Sequence, residues 1–197
     1  ELVEAEPEQS LPALALGDVD LVLADEWQHH PRSRPLGVDR RDLHRDPDHL
    51  ILSRDQPAAR RQRDAIPLAE LAGEAWATGH RDSGWDEMTA RTCRELGGFD
   101  PDIRHRTNDS VTTLAVVAHG QAVTLLPELV APDAHPGITV RAIAEGSVHR
   151  TIFTATRIAD ARRPSVQAVL AAVRTAAASL GWPAQAPQPD QRRVSRM

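Results

Sequence analysis

Two stretches far apart in the chain share one pattern: a short helix, a glycine, then a short apolar strand. The first is LALGDVDLVLADE, Leu14 to Glu26. Just upstream, Ser10 is a candidate N-cap and Pro12 falls in the first turn, where its missing N–H costs little. Leu11, Leu14 and Ala15 then share one helix face, and Gly17 stops the helix, as glycine does just past a C-terminus. Val19 to Ala24 is too short for a helix and mostly apolar, so it reads as a buried strand of the parallel kind. Glu1 to Glu6, through Leu2 and Val3, reads as the strand before the helix. The second stretch is NDSVTTLAVVAHGQAVTLLPE, residues 108–128. Asn108, Asp109 and Ser110 offer caps, and Val111, Leu114, Ala115 and Ala118 fall at helical spacing on one face. Gly120 ends that helix, Ala122 to Leu126 forms a buried strand, and Pro127 stops it. Two such corners, so widely separated, predict two α/β lobes whose strand ends and helix starts are available to line a cleft.

The rest of the chain fits that frame. Val38 to Arg45 is polar and extended enough to cross between lobes, with a short strand at His49–Ser53. Pro67 opens a one-turn helix, Ala75–Gly79 is a strand, and Trp85 to Leu96 is a helix ending on Gly97-Gly98. Ile103–Thr107, Ile138–Ile143 and Arg150–Arg157 are further strands, the last returning to the first lobe. Pro164 to Leu180 carries a clean stripe of Val166, Val169, Leu170, Val173, Ala177 and Leu180. The closing GWPAQAPQPDQRRVSRM has the composition of a disordered tail.

Composition narrows the function. The 197 residues carry a net charge of −5, which argues against this segment holding duplex DNA by itself. Aromatic residues make up only 3% of the chain, too few for a stacking platform on single strands. All the basic residues other than histidine are Arg, which reads as a coding bias. Cys93 is the only cysteine, so the chain forms no internal disulfide and suits a reducing compartment. Cys93 lies on the same helix as Trp85, Met88, Thr92 and Leu96 and reads as a buried thiol, not a nucleophile. No apolar run is long enough to span a bilayer and no signal peptide opens the chain. The chain begins without Met, inside an expected strand, as a fragment of something longer would.

Few residues suggest chemistry. His29, His30, His44 and His49 lack the spacing of a zinc site and have no cysteine pair beside them. Ser83, in Asp82-Ser83-Gly84-Trp85, is not in a nucleophile elbow and is better read as a helix cap. Asp20 lies at the start of its strand, whereas ligands of α/β sheets gather at the carboxyl ends, so a structural role is expected. Neither a Gly-x-Gly-x-x-Gly nor a phosphate-binding loop occurs. Two loops remain: Thr78 to Ser83, and Thr107 to Ser110. Each follows a strand and precedes a helix, where free N–H groups, hydroxyls and an Arg suit an anion. The alternative for both is ordinary capping.

The motifs carry a family likeness. LALGDVDLVLAD, PLAELAGEAWATG and TTLAVVAHGQAVTLLPE, in that order and spacing, resemble the effector domain of LysR-type transcriptional regulators over residues 1–180 or so. The resemblance implies an α/β fold of the type 2 periplasmic-binding-protein class, with two lobes and two crossing strands. Lobe I comprises residues 1–40 and 150–180, lobe II residues 45–143, and 181–197 is the tail. It implies a small effector bound between the lobes, for which the two loops suit an anion, together with a homodimer or homotetramer and DNA contact only through an N-terminal winged helix-turn-helix. That region, and the first strand and helix of lobe I, would precede Glu1. The effector contacts it implies are Gly79, His80, Arg81, Ser83, Thr107, Asn108 and Ser110, with Glu6 and Arg41 (or the neighbouring Arg40 or Arg45) from the other lobe. Catalytic residues, metal and cofactor are not expected, and the setting is the cytoplasm. A solute-binding protein of the same fold, or a small α/β enzyme, are the competing readings.

Overall fold

The computed structural model describes residues 1–28, 30–32, 34–61, 63–130 and 135–182. His29 and the expected tail from residue 183 onward lie outside them. The order of elements is α1 (Pro7–Leu16), β1 (Leu21–Trp27), β2 (Val38–Ser53), β3 (Ala65–Ile66), β4 (Ala75–Thr78), α2 (Gly84–Glu95), β5 (Asp102–Arg106), α3 (Ser110–Ala118), β6 (Thr124–Pro127), β7 (Ile138–Ile143), β8 (His149–Arg157) and α4 (Pro164–Ser179). Short 3₁₀ turns lie at Ala59–Arg61 and Leu68–Leu71. The chain forms two compact units. Of the described residues, the first holds those in 1–25, 32–45 and 151–182, and the second those in 26–31 and 46–150.

In the first unit β8 lies between β1 and β2 in the strand order. Leu11, Leu14, Val22, Phe153 and Ala155 form its core. The Gly17 corner behaves as expected. Gly17 adopts φ +95°, and its N–H and that of Asp18 both donate to the Ala13 carbonyl at 3.0 Å, an arrangement an L side chain resists. Arg157 of β8 then fastens the corner: its Nη1 donates to the carbonyls of Leu14 (2.6 Å) and Val19 (2.5 Å). Asp20 Oδ1 accepts from Arg163 at 2.6 Å and Arg157 at 3.2 Å, so this acid is structural.

Several local expectations change. Residues 1–6 are not a strand; Leu2 and Val3 are 98% and 66% exposed, and no described strand lies beside them to complete a ladder. Helix α1 begins at Pro7 and not after Ser10, because the Glu6 carbonyl already accepts from the N–H groups of Gln9 and Ser10 and Pro7 presets the first helical φ. Pro12 is therefore interior, on the exposed side, and Ala15 is exposed too. Strand β1 sits at the end of the strand order and starts two residues late; its Leu23 is 57% exposed, so it is not buried on both faces. Residues 38–53 form one strand, where a crossing segment and a separate short strand were expected. Pro47 is tolerated inside it: it has no N–H to leave unpaired, and its carbonyl accepts from the Glu128 N–H at 2.8 Å.

The second unit holds the larger core, including Trp76, Leu50, Leu125 and Met88. Strand β2 pairs antiparallel with β6 (Leu50 opposite Leu125) and with β7 (Ile51 opposite Val140), and β7 pairs parallel with β3. Strands β4 and β5 form a separate parallel pair. The N–H of Ala77 donates to Val123 and that of Val123 to Ala75, each at 2.9 Å, joining this pair to the segment leading into β6. Helix α3 buries Thr113 and Val117, while the expected Val111 is 74% exposed. Its sequence is apolar on nearly all sides, so periodicity fixes no single face. Packing does: a Cβ on Gly137 would lie 2.9 Å from the Ala118 Cβ, so the chain passes tightly against the end of α3. In α4, Val166, Leu170 and Ala177 are buried, but Val169 and Leu180 stay 48% and 63% exposed. Among the described residues no helix is long and apolar enough to cross a membrane.

Candidate functional site

Strands β4 and β5 decide where the site forms. They run parallel with Thr78 opposite Arg106, so both release their chains at the same end. The Thr107 N–H extends the ladder by donating to the Thr78 carbonyl at 3.0 Å. The loop from Gly79 to Ser83 and the loop from Thr107 to Asp109 are therefore neighbours, each leading into a helix N-terminus.

The contact that joins them is between His80 and Asn108. The His80 N–H donates to Asn108 Oδ1 at 3.0 Å. Gly79 leaves the space for it: a Cβ there would lie 2.5 Å from Ser83 Oγ and 3.0 Å from Asn108 Oδ1. The Gly79 loop turns tightly, with the Ser83 N–H donating to the His80 carbonyl at 3.1 Å and Asp82 in the left-handed region at φ +63°. Few residues other than glycine accept that geometry, Asp and Asn among them.

Each helix start is capped. Ser83 Oγ accepts from the Asp86 N–H at 3.2 Å, and Asp109 Oδ1 from the Thr112 N–H at 2.8 Å. Thr107 Oγ1 accepts from the Asp109 N–H at 3.1 Å. Thr78 is buried behind the rim, its hydroxyl shared with the Trp85 carbonyl (3.2 Å) and the Thr89 hydroxyl (3.1 Å). Arg81 is exposed and makes no ion pair among the described residues, so it is the uncommitted cation of this rim.

Of the expected contacts, the structure therefore gathers Gly79, His80, Ser83 and Asn108 directly, with Thr107 on the adjoining loop, Ser110 at the start of α3 and Arg81 at the edge. Glu6 and Arg41 belong to the first unit. Glu6 caps α1 through its carbonyl, and Arg41 Nε pairs with Asp39 at 3.0 Å.

Two supporting residues escaped sequence reasoning. Arg106 forms an ion pair with Asp86 (2.7 Å), closed by charge without a well-aligned hydrogen bond, and reaches the Gly79 carbonyl at 3.4 Å. Asp86 Oδ2 in turn accepts from the Asp82 N–H at 3.3 Å. The spacing Ser83-x-x-Asp86 is a capping-box signature that marks Asp86 in hindsight; nothing local marks Arg106, which ends β5 while its partner Asp86 lies in the first turn of α2.

Cys93 lies on the buried face of α2, and burial pushes its thiol up to about 12, despite the opposing charge of Arg94. Such a thiol is protonated at neutral pH and unreactive. Among the described residues no group of three or more His, Cys, Asp or Glu is placed to hold a metal.

Comparison with known proteins agrees with this architecture. A family model described as the LysR substrate binding domain matches residues 1–178. The chain belongs to that family, the effector-sensing module of LysR-type transcriptional regulators. Among solved structures it is similar to the C-terminal domain of a probable LysR family regulator from Rhodococcus sp. RHA1 (21% identity, 88% of this chain and 82% of that one, TM-score 0.72). It is also similar to the effector-binding domain of BenM with its effector benzoate (14% identity, 95% and 82%, TM-score 0.74). A third is the effector-binding domain of QuiR in complex with shikimate (16% identity, 91% and 81%, TM-score 0.72). At these identities the likeness is one of fold, the two-lobed type 2 periplasmic-binding-protein class. Among curated proteins none matches the sequence.

Proposed function

We propose that the rim built by residues 79–83 and 107–110 binds a small anionic effector. Arg81 supplies the opposite charge, and Ser83, Thr107, Asn108 and Ser110 supply hydrogen bonds, beside helix N-termini that favour negative charge. The observation that carries the reading is the His80–Asn108 hydrogen bond, which makes one surface of two loops. The parts of Glu6 and Arg41 rest on the family resemblance alone.

In this reading the chain is a sensor and not an enzyme. The effector binds one arrangement of the domain better than another and shifts the population toward it. In the full-length regulator that shift changes how a homodimer or homotetramer presents an N-terminal helix-turn-helix to DNA, in the cytoplasm. No membrane partner is involved.

Benzoate and shikimate are apt first probes, since both are small carboxylates. Calorimetric titration of the chain with each, repeated on Arg81→Ala, tests the assignment. The reading expects a ligand whose affinity falls about tenfold or more in Arg81→Ala while the melting curve stays native. Unchanged affinity in a natively folded variant would remove Arg81 from the site.

A further inference from the structure

The first unit contains a cavity of about 110 Å³, remote in sequence from the loops of the rim. Its inner wall is apolar, with Leu11 from α1, Val38 from β2, and Phe153 and Ala155 from β8. Leu11, Phe153 and Ala155 are core residues of this unit, and Val38 packs against them, so the core backs the cavity.

The mouth is cationic. Arg32, Arg34 and Arg40 surround it. Two of these guanidinium groups are held in place. Arg32 pairs with Glu8 at 2.7 Å and donates to the Asp25 carbonyl at 3.1 Å. Arg40 pairs with Asp42 at 2.8 Å and lies over the Phe153 ring, 3.9 Å from its centre. Arg34 differs: it is exposed and makes no ion pair among the described residues.

An apolar pocket with an uncompensated guanidinium at its mouth selects for a molecule that is apolar at one end and anionic at the other. Size limits the apolar end. A cavity of about 150 Å³ accommodates a benzene ring, so this one suits a shorter group. Arg40 occupies a face of the Phe153 ring, which leaves an aliphatic wall of Leu11, Val38 and Ala155 for the ligand. We propose that this cavity is a separate binding site for a small carboxylate with a short branched alkyl chain, the alkyl group against Leu11, Val38 and Ala155 and the carboxylate on Arg34. The site shares no residue with the rim of residues 79–83 and 107–110 and stands independently of it.

The test uses the whole chain with 3-methylbutanoate as probe and 3-methylbutanamide, the same shape without the charge, as its control. Methyl and amide resonances are followed by NMR. The proposal expects 3-methylbutanoate to move the signals of Leu11, Val38 and Ala155, and the amide to bind about tenfold more weakly or worse. Arg34→Gln, at an exposed position, should lower carboxylate affinity about tenfold with an unchanged melting curve. Val38→Phe, which fills the cavity, should abolish binding. Equal affinity for acid and amide, full affinity in Arg34→Gln, or shifts confined to Gly79–Ser83 and Thr107–Ser110 would each overturn it. Should Val38→Phe fail to fold, the Arg34→Gln result decides.

Discussion

Asp46 Oδ2 receives both Nε and Nη2 of Arg150, each at 3.0 Å, while Asp46 Oδ1 accepts the Leu129 N–H at 3.2 Å. The Asp46 side chain is fully buried. The two residues sit where the chain passes from one compact unit to the other: β2 changes unit between residues 45 and 46, and β8 between 150 and 151. The pair thus locks the two crossing strands to each other at the point where both leave the second unit. Arg150 also lies over the Trp27 ring, at 5.8 Å.

Removing one member of that pair leaves the other buried or half-buried without its partner. Asp46→Asn should lower unfolding free energy by about 3 kcal/mol in urea denaturation. Arg150→Met should cost as much or more, since it strands a buried carboxylate. If Asp46→Asn cost under about 1 kcal/mol, as exposed pairs do, the pair would not lock the two strands.

The rim predicts its own sensitivity. Gly79→Ala puts a Cβ 2.5 Å from Ser83 Oγ, so the cap on Asp86 must move. Loss of such a cap costs about 1 kcal/mol. Asn108→Ala frees the His80 N–H and should cost about the same. In both variants ligand affinity should fall more than stability does, read by calorimetry beside thermal melting.

Asp82 holds a left-handed conformation at φ +63°. Asp82→Gly should therefore be neutral or stabilising, by up to about 1 kcal/mol. Asp82→Val should be destabilising by more than that, because a β-branched residue resists this region. Thermal melting of the two variants checks the sign.

Cys93 predicts a pH dependence. Burial pushes its thiol up to about 12 in the folded chain, from an ordinary value near 9.0 when exposed in the unfolded one. The folded state thus retains a proton that the unfolded state has lost. Stability from this group is intact below pH 9 and declines as pH rises from 9 toward 12. Cys93→Val should flatten that alkaline limb in denaturation measured across pH 8–11. A Cys93 that reacts with a thiol reagent as fast in the native chain as in the unfolded one would contradict its burial.

Much of this was legible in the sequence where local chemistry decided the outcome. Gly17 ended α1 because only a left-handed residue closes that corner, and the order of strand, loop and helix placed Gly79–Ser83 and Thr107–Ser110 at strand ends. The misses share another cause. Leu2 and Val3 have the side chains of a strand but lack a described neighbour to pair with. Val111 has the spacing of a core residue, yet the packing around Gly137 and Ala118 turns α3 onto Thr113 and Val117. The Arg106–Asp86 ion pair joins the end of β5 to the first turn of α2, and the Asp46–Arg150 lock joins β2 to β8; both are tertiary contacts, which no local pattern records.

An amide NMR titration of the chain with a fragment library of small carboxylates and matched neutral amides would show directly whether the rim senses anions. An anion-sensing rim gives carboxylate hits whose largest shifts fall on Gly79, His80, Arg81 and Asn108, and which weaken or vanish when the acid becomes an amide. Hits that leave those amides unmoved, or that bind equally well without the charge, would contradict an anion-sensing rim.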